Sequence, residues 1–256
     1  LTIKPDFGQI EMDPEYINLT YYEVLLDEKR RFFNETKTIF ETPISIFYSR
    51  RIGASFENID YQINTALKYI GKNKLGLDYG VLLAHTSPIE NDLDRNLGSN
   101  KYLINRITKN IFGNSSIVGF SSSYFSNNNS QSATQSAIFS IDNISYFLSN
   151  SLIIDYQFVK SYKGIQEIED EVEGIGYTLN MDYSSSFPIS FEVDVEIYDE
   201  NFDINDIGYL ERNNMKRYQV DLRYKLINPF FNQIREIYID LFHEKSVNYN
   251  NLTLNN

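Results

Sequence analysis

PISFEVDVEIYD, residues 188–199, alternates without a break. Ile189, Phe191, Val193, Val195 and Ile197 share one face of an extended strand, and Ser190, Glu192, Asp194, Glu196 and Tyr198 share the other. Same-face neighbours on a strand are about 7 Å apart, twice the rise per residue. Three carboxylates at that spacing cannot face hydrocarbon, because each would lose hydration worth several kcal/mol. One face of this strand is therefore apolar and the other must meet water.

The same reading extends outward along the chain. QINTALKYIG (62–71) and KLGLDYGVLLAHT (74–86) read as a hairpin with a tight turn near Lys72 and Asn73. YLINRITKNIF (102–112), SIVGFSSSYF (116–125), AIFSIDNISYFLS (137–149), SLIIDYQFVKSY (151–162), GIGYTLNMDYSSS (174–186), KRYQVDLRYKL (216–226) and REIYIDLFHE (235–244) follow with the same period of two. Short connections are expected near 72–73, 113–115, 149–150, 186–188 and 227–234. Longer polar ones are expected at 86–101, 126–136, 162–173 and 199–215. Short turns at one rim and long loops at the other describe a transmembrane barrel. Alternation alone also describes an antiparallel sheet with one wet face, so a soluble β-sandwich binding module stays open at this point.

The chain has 256 residues, a formal net charge of −12 and 42 % apolar residues, with 20 Tyr, 18 Phe and no Trp. The length allows one large β domain or two ordinary ones. The acidic balance argues against a nucleic-acid partner. Cysteine is absent, which excludes disulfides, thiolate metal sites and thiol nucleophiles. No run approaches the roughly 18 apolar residues of a membrane helix, a rule that is silent on barrel strands of about 10 alternating residues.

Residues 1–60 differ from the rest and read as a junction segment, ahead of a barrel region at 61–256. Asp13 and Pro14 suit a helix start, and Ile17, Tyr21, Val24 and Glu28 keep helical spacing, so one helix is expected there. SIFYSR (45–50) is expected as a short strand. Within this region KPDFGQIEMDP, NLTYYEVLLDEKRRFFNETKTIF and FYSRRIG carry Asp6, Phe7, Gly8, Gln9, Glu11, Asp13, Asn18, Glu23, Glu28, Arg30, Phe32, Phe33, Glu35, Tyr48, Arg50 and Arg51 in a fixed pattern. That pattern resembles a bacterial outer-membrane β-barrel family of undefined function whose members carry an N-terminal domain like family-9 carbohydrate-binding modules. Lys4, Arg31, Asn34 and Thr36 depart from it, Thr36 standing where a glycine is usual. YDENFDINDIGYLERNN is a weaker second match.

The resemblance implies an all-β antiparallel transmembrane barrel, incomplete in this chain, with a short N-terminal helical plug or linker. It implies an outer-membrane location in a Gram-negative bacterium, outer-membrane lipid as surroundings and a carbohydrate-binding-like domain upstream. It also implies a barrel that continues past Asn256, and no established catalytic residue. Solute binding or transport, with a glycan or small solute as ligand, is the function expected; an envelope-associated carbohydrate-active hydrolase is the alternative.

On the barrel reading, Asp155, Asp182, Glu192, Asp194, Glu196, Asp221 and Asp240 point into a wet lumen with Arg223 and Lys225. There they act as solvated wall groups, or draw cations or a ligand. Arg50 and Arg51 can pair with those carboxylates or anchor at lipid headgroups. No cofactor or metal set emerges. HEKSV is not HExxH and no GxSxG elbow is present. IEDEVE (168–173) lacks calcium-loop spacing and reads as a solvated loop. A glycosidase would need two carboxyls about 5–10 Å apart, which spacing along one strand does not establish.

Overall fold

The computed structural model describes residues 2–3, 23–55, 60–89, 98–128, 133–165, 168–184, 188–227 and 234–254. They form a single antiparallel sheet of eleven strands, each paired with its neighbours in chain order. The strands are β1 (Thr2–Ile3), β2 (Tyr61–Lys72), β3 (Leu77–Pro88), β4 (Asn100–Ile111), β5 (Ser116–Asn127) and β6 (Thr134–Phe147). They continue with β7 (Leu152–Ile165), β8 (Ile168–Tyr183), β9 (Ile189–Tyr198), β10 (Met215–Ile227) and β11 (Glu236–Val247). Among the described residues no pairing joins β1 to β11, so the sheet is open. One sheet, and not two packed layers, excludes the β-sandwich.

The pleat sorts residues as the alternation predicts. On every strand from β2 to β11 one face carries exposed apolar side chains: Leu67 and Tyr69, Leu83, Ile107, Phe120, Phe139 and Ile141, Phe158, Ile175, Ile189, Val220 and Leu222, then Ile239 and Leu241. Tyr177, Leu179 and Met181 lie on this outer face, since their neighbours Gly174 and Gly176 meet Phe202 on the other. The inner face holds the buried core.

At one rim the β2–β3, β4–β5 and β6–β7 turns are four residues long, whereas the connection expected to be short near 227–234 spans eight; the first two turns have a visible local cause. Asn73 Oδ1 accepts the N–H of Leu75 and of Leu77, both at 2.9 Å, closing the β2–β3 turn. Phe112 and Gly113 (φ 49° and 65°) close β4–β5 in the left-handed region that matches strand twist. At the other rim the connections are longer, with one correction. The expected loop at 162–173 is strand: β7 and β8 run on to Ile165 and Ile168 and leave two residues between them. Glu171 and Glu173 stand exposed on that extension, which is how an acidic run tolerates a strand there.

Two further expectations fail. The helix expected from Asp13 is absent over the part that is described: residues 23–30 are not helical, and a single turn, Arg31–Asn34, follows; residues 4–22 lie outside the described residues. Lys68 on β2 donates to the carbonyls of Phe32 and Glu35, and Thr36 in the left-handed conformation (φ 58°) ends the turn. The expected strand at 45–50 is instead irregular chain leading into a 3-10 turn at Ser49–Arg51. The reason is its surroundings: Ile44 and Ile46 are buried, and the Ile44 N–H donates to the Gln157 side chain instead of to the backbone of a strand.

The core explains both. Phe33, Phe40, Ile44, Ile46 and Ile52 pack on Ala66, Leu82, Ala84, Ile104, Phe125, Ile138 and Val159 of β2–β7. Phe202, Ile204 and Ile207, from the 199–214 connection, complete the cluster. That connection is no solvated loop: it folds inward against the same core. Two glycines on β8 make room for it, because a Cβ on Gly174 would lie 2.3 Å from the Phe202 Cα and one on Gly176 would lie 2.6 Å from the Phe202 ring.

Candidate functional site: the interior of the sheet

The inner segment, residues 23–55, is tied down by the residues of its sequence pattern. Arg30 donates to both carboxylate oxygens of Glu28 (2.9 and 2.7 Å) and to the carbonyls of Ile52 and Ser49 (both 2.6 Å). Its guanidinium also lies 4.4 Å from the Phe33 ring centroid. Burial by itself would raise the Glu28 carboxyl, but the bonds and charge of Arg30 and the Ser49 hydroxyl hold it below the usual carboxylate range. The Tyr48 hydroxyl accepts from the Leu26 N–H (2.9 Å) and donates to the Leu26 carbonyl (3.0 Å), standing in for a strand partner. Arg50 donates to the Asp27 carbonyl. Arg51 reaches Glu23 (2.6 Å) and the Gly208 carbonyl (3.0 Å). These bonds of the arginines hold the inner segment, and among the described residues Arg51 pairs with Glu23 and not with a wall carboxylate. Phe32 packs against the core and Glu35 pairs with Arg31 at 2.7 Å. Asp6, Phe7, Gly8, Gln9, Glu11, Asp13 and Asn18 lie outside the described residues.

The 199–214 connection is locked onto that segment. The Tyr48 N–H donates to the Ile207 carbonyl (2.8 Å), and the Tyr209 N–H to the Ser45 carbonyl (2.9 Å). Lys163 of β7 sits between Asp203 (2.9 Å) and Asp206 (3.0 Å). Burial works to raise Asp203, and the Lys163 ammonium with the Asn205 N–H overcomes it, leaving its pKa lowered. On the covered wall, Arg106 of β4 and Asp142 of β6 form a buried two-pronged pair at 2.6 and 2.7 Å, with Ser121 a third partner.

Beyond β7 the inner wall is uncovered and charged. The register sets it out in rows. Asp155, Asn180, Asp194, Gln219 and Glu244 are opposite one another on successive strands β7–β11. So are Asp182, Glu192 and Asp221 on β8–β10, and Thr178, Glu196 and Arg217. Asn180 donates to Asp194 (2.7 Å) and Glu192 (3.3 Å). Arg217 lies between Glu196 (3.8 Å) and Glu244 (3.3 Å). Arg223 pairs with Asp240 at 2.7 Å, and Lys225 with Glu236 at 3.5 Å. Asp182, Glu192, Asp221, Arg223 and Asp240 line an open groove of about 470 Å³.

All seven candidate carboxylates, with Arg223, thus share the inner face, in adjacent rows. Reading strands singly missed Asn180, Arg217, Gln219 and Glu244, which link the rows; only the register between strands shows them. The Arg106–Asp142 pair was also missed, although each residue alternates inward on its own strand. Among the described residues no group of His, Asp and Glu side chains is arranged to hold a metal ion. No helix among them is long and apolar enough to cross a membrane, a fact silent on strands.

No curated protein and no solved structure matches the chain. A family model described as Domain of unknown function (DUF5916) matches residues 1–256. The inner segment, the eleven strands and the charged wall all fall within that match, and the chain belongs to the DUF5916 family.

Proposed function

We propose that this chain is a β-barrel domain of the bacterial outer membrane whose uncovered inner wall binds or passes a small solute. One observation carries the reading: an exposed apolar face continuous from β2 to β11, backed by an inner face that is charged or covered by the chain itself. A soluble monomer rarely exposes contiguous apolar patches beyond a few hundred Å². Strands β2–β11, of 10–16 residues, meet the roughly 9–11 needed to cross a bilayer. Hydrocarbon is the solvent that an outward Leu/Ile/Phe/Tyr surface fits, and lipid is then the partner of that face. Inside, the excess of carboxylates over cations on β7–β11 favours solutes carrying positive charge. The inner segment and the 199–214 connection fill the lumen beside β2–β7 and confine passage to the other side.

The absence of cysteine gives a direct test. Leu222→Cys faces outward and Asp221→Cys inward, on adjacent residues of β10. After labelling with an environment-sensitive fluorophore and reconstitution into phosphatidylcholine vesicles, the Leu222 position is expected to be quenched by nitroxide lipid and spared by aqueous iodide. The Asp221 position is expected to behave oppositely. Equal iodide quenching at both positions overturns the reading.

A further inference from the structure

Where the inner segment, the 199–214 connection and the wall of β9 and β10 meet, they leave a cleft of about 570 Å³, within the usual size of small-molecule sites. Glu196, Tyr198, Met215 and Arg217 line it from the strands, Ile44 from the inner segment and Arg212 from the connection. Tyr198 is only 8 % exposed. Its ring stacks on Phe202 at 5.6 Å, and among the described residues nothing bonds to its hydroxyl. The hydroxyl is not among the fully buried polar atoms, so it opens at the wall of the cleft, where a ligand can meet it. Arg212 is half-buried and makes no ion pair among the described residues. Glu196 meets its cation only at 3.8 Å, because Arg217 also turns to Glu244.

The cleft thus offers guanidinium groups from Arg212 and Arg217, carboxylates from Glu196 and Glu211, and the Tyr198 hydroxyl around an apolar floor, so both signs of charge are present in equal number. A plain anion would be repelled by Glu196 and the carboxylate rows below it. A plain cation would leave Arg212 unanswered. A neutral saccharide could hydrogen-bond these groups, but it would bring no opposite charge to offset their desolvation. We propose that this cleft binds a short zwitterionic peptide with apolar side chains. Arg212 takes its carboxylate, Glu196 its ammonium, Tyr198 Oη donates to a peptide carbonyl, and Ile44 and Met215 meet its side chains. The proposal rests on the reading of the interior as a solute compartment, and names the solute.

Calorimetric titration of the full chain in detergent micelles with leucyl-leucine tests it. Saturable binding is expected, absent for the N-acetylated, C-amidated dipeptide. Tyr198→Phe, which keeps the ring stack, and Arg212→Ala are each expected to weaken binding at least about tenfold, as loss of a hydrogen bond or charge contact does. Their melting temperatures should match the parent's. No saturable heat, equal binding of the blocked dipeptide, preference for maltose, or unchanged affinity in both variants overturns the proposal. Since no bilayer is involved, failure here leaves the lipid-quenching result standing, and the reverse holds as well.

Discussion

Strands β2–β7 and β8–β11 belong to one sheet with one pleat, yet their inner faces differ. On β2–β7 the wall is Ala, Leu, Ile, Phe and Val with buried Ser, Asn and Gln, covered by the inner segment. On β8–β11 it is Glu, Asp, Arg and Gln, half-exposed and linked side by side. Strand pairing is indifferent to this contrast; what covers each half decides it. Where protein covers the wall, every charge must be fully paired, as Arg106 and Asp142 are. Where water covers it, 3.8 Å pairs and rows of like charge survive. Gly174 and Gly176 on β8 mark the border, because the 199–214 connection comes inward over them.

The largest effect is expected at that border. Gly174→Ala would set a Cβ 2.3 Å from the Phe202 Cα, and no side-chain rotation relieves a backbone clash. The connection must lift, taking Phe202, Ile204 and Ile207 out of the core. At about 1.5–3 kcal/mol per large side chain, the loss should reach about 5 kcal/mol. Gly164→Ala, with nothing within 4 Å of the added atom, is the control and should leave the thermal midpoint unchanged. Limited proteolysis at 199–214 checks that the connection, and not the sheet, has moved.

Ion pairs sharpen the comparison next. Asp142→Ala strands the buried Arg106 guanidinium and should cost about 3–5 kcal/mol. Asp240→Ala removes an equally short partner of Arg223, but both groups of that pair are more than half exposed, so water replaces the contact. Denaturant midpoints should fall sharply for the first and stay put for the second. Similar losses in both would mean that the two halves are equally covered.

How much of this was legible in the residues follows from the same contrast. The period of two reports which face a side chain takes, so the apolar outer face and the carboxylates of the wet half could be read directly from stretches such as 188–199. Pairing partners follow from register between strands, so Asn180 and Arg217 carried no single-strand signal. The covered half was hidden for another reason. Phe202, Ile204 and Ile207 stand among Asp and Asn, and a connection with that composition reads as solvated. The acidic run at 168–173 misled in the same way, since strand ends at a rim tolerate charge. The pattern shared by Glu28, Arg30, Tyr48 and Arg51 was visible as a pattern, and its work, holding irregular chain inside a sheet, depends on contacts across 20 residues or more.

The Glu28 clamp adds a pH dependence. Its folded pKa lies below the ordinary glutamate value of 4.5. A carboxyl depressed on folding contributes stability that is fully present above its unfolded pKa and lost as pH falls through the folded one. Glu28→Gln should therefore cost about 1.5–3 kcal/mol at pH 7, the range for a charged hydrogen bond inside a protein. The gap between variant and parent should begin to close as pH drops below about 4.5, where the unfolded chain's carboxyl takes up a proton, and go on closing as pH falls through the lower folded value. Melting curves at pH 7 and pH 3.5 decide it. A gap that stays constant would mean that Glu28 acts by shape alone.

The smallest change is expected to stabilise. Thr36 holds φ 58° and ψ 27° at the end of the only α-helical turn among the described residues. A β-branched residue in that region is strained by about 1–2 kcal/mol. Glycine there removes the strain and gives back about 0.5–1 kcal/mol through its looser unfolded chain. The Thr36 hydroxyl bond to the Glu35 carbonyl is exposed and worth little. Thr36→Gly should thus gain about 0.5–1 kcal/mol, seen as a rise in denaturant midpoint at unchanged slope. The rim turns already use this solution, at Gly76 and Gly113. If the variant gains nothing, the Thr36 backbone is held by the Lys68 bonds to Phe32 and Glu35 at no local cost, and Lys68→Met should then lose what Thr36→Gly failed to gain.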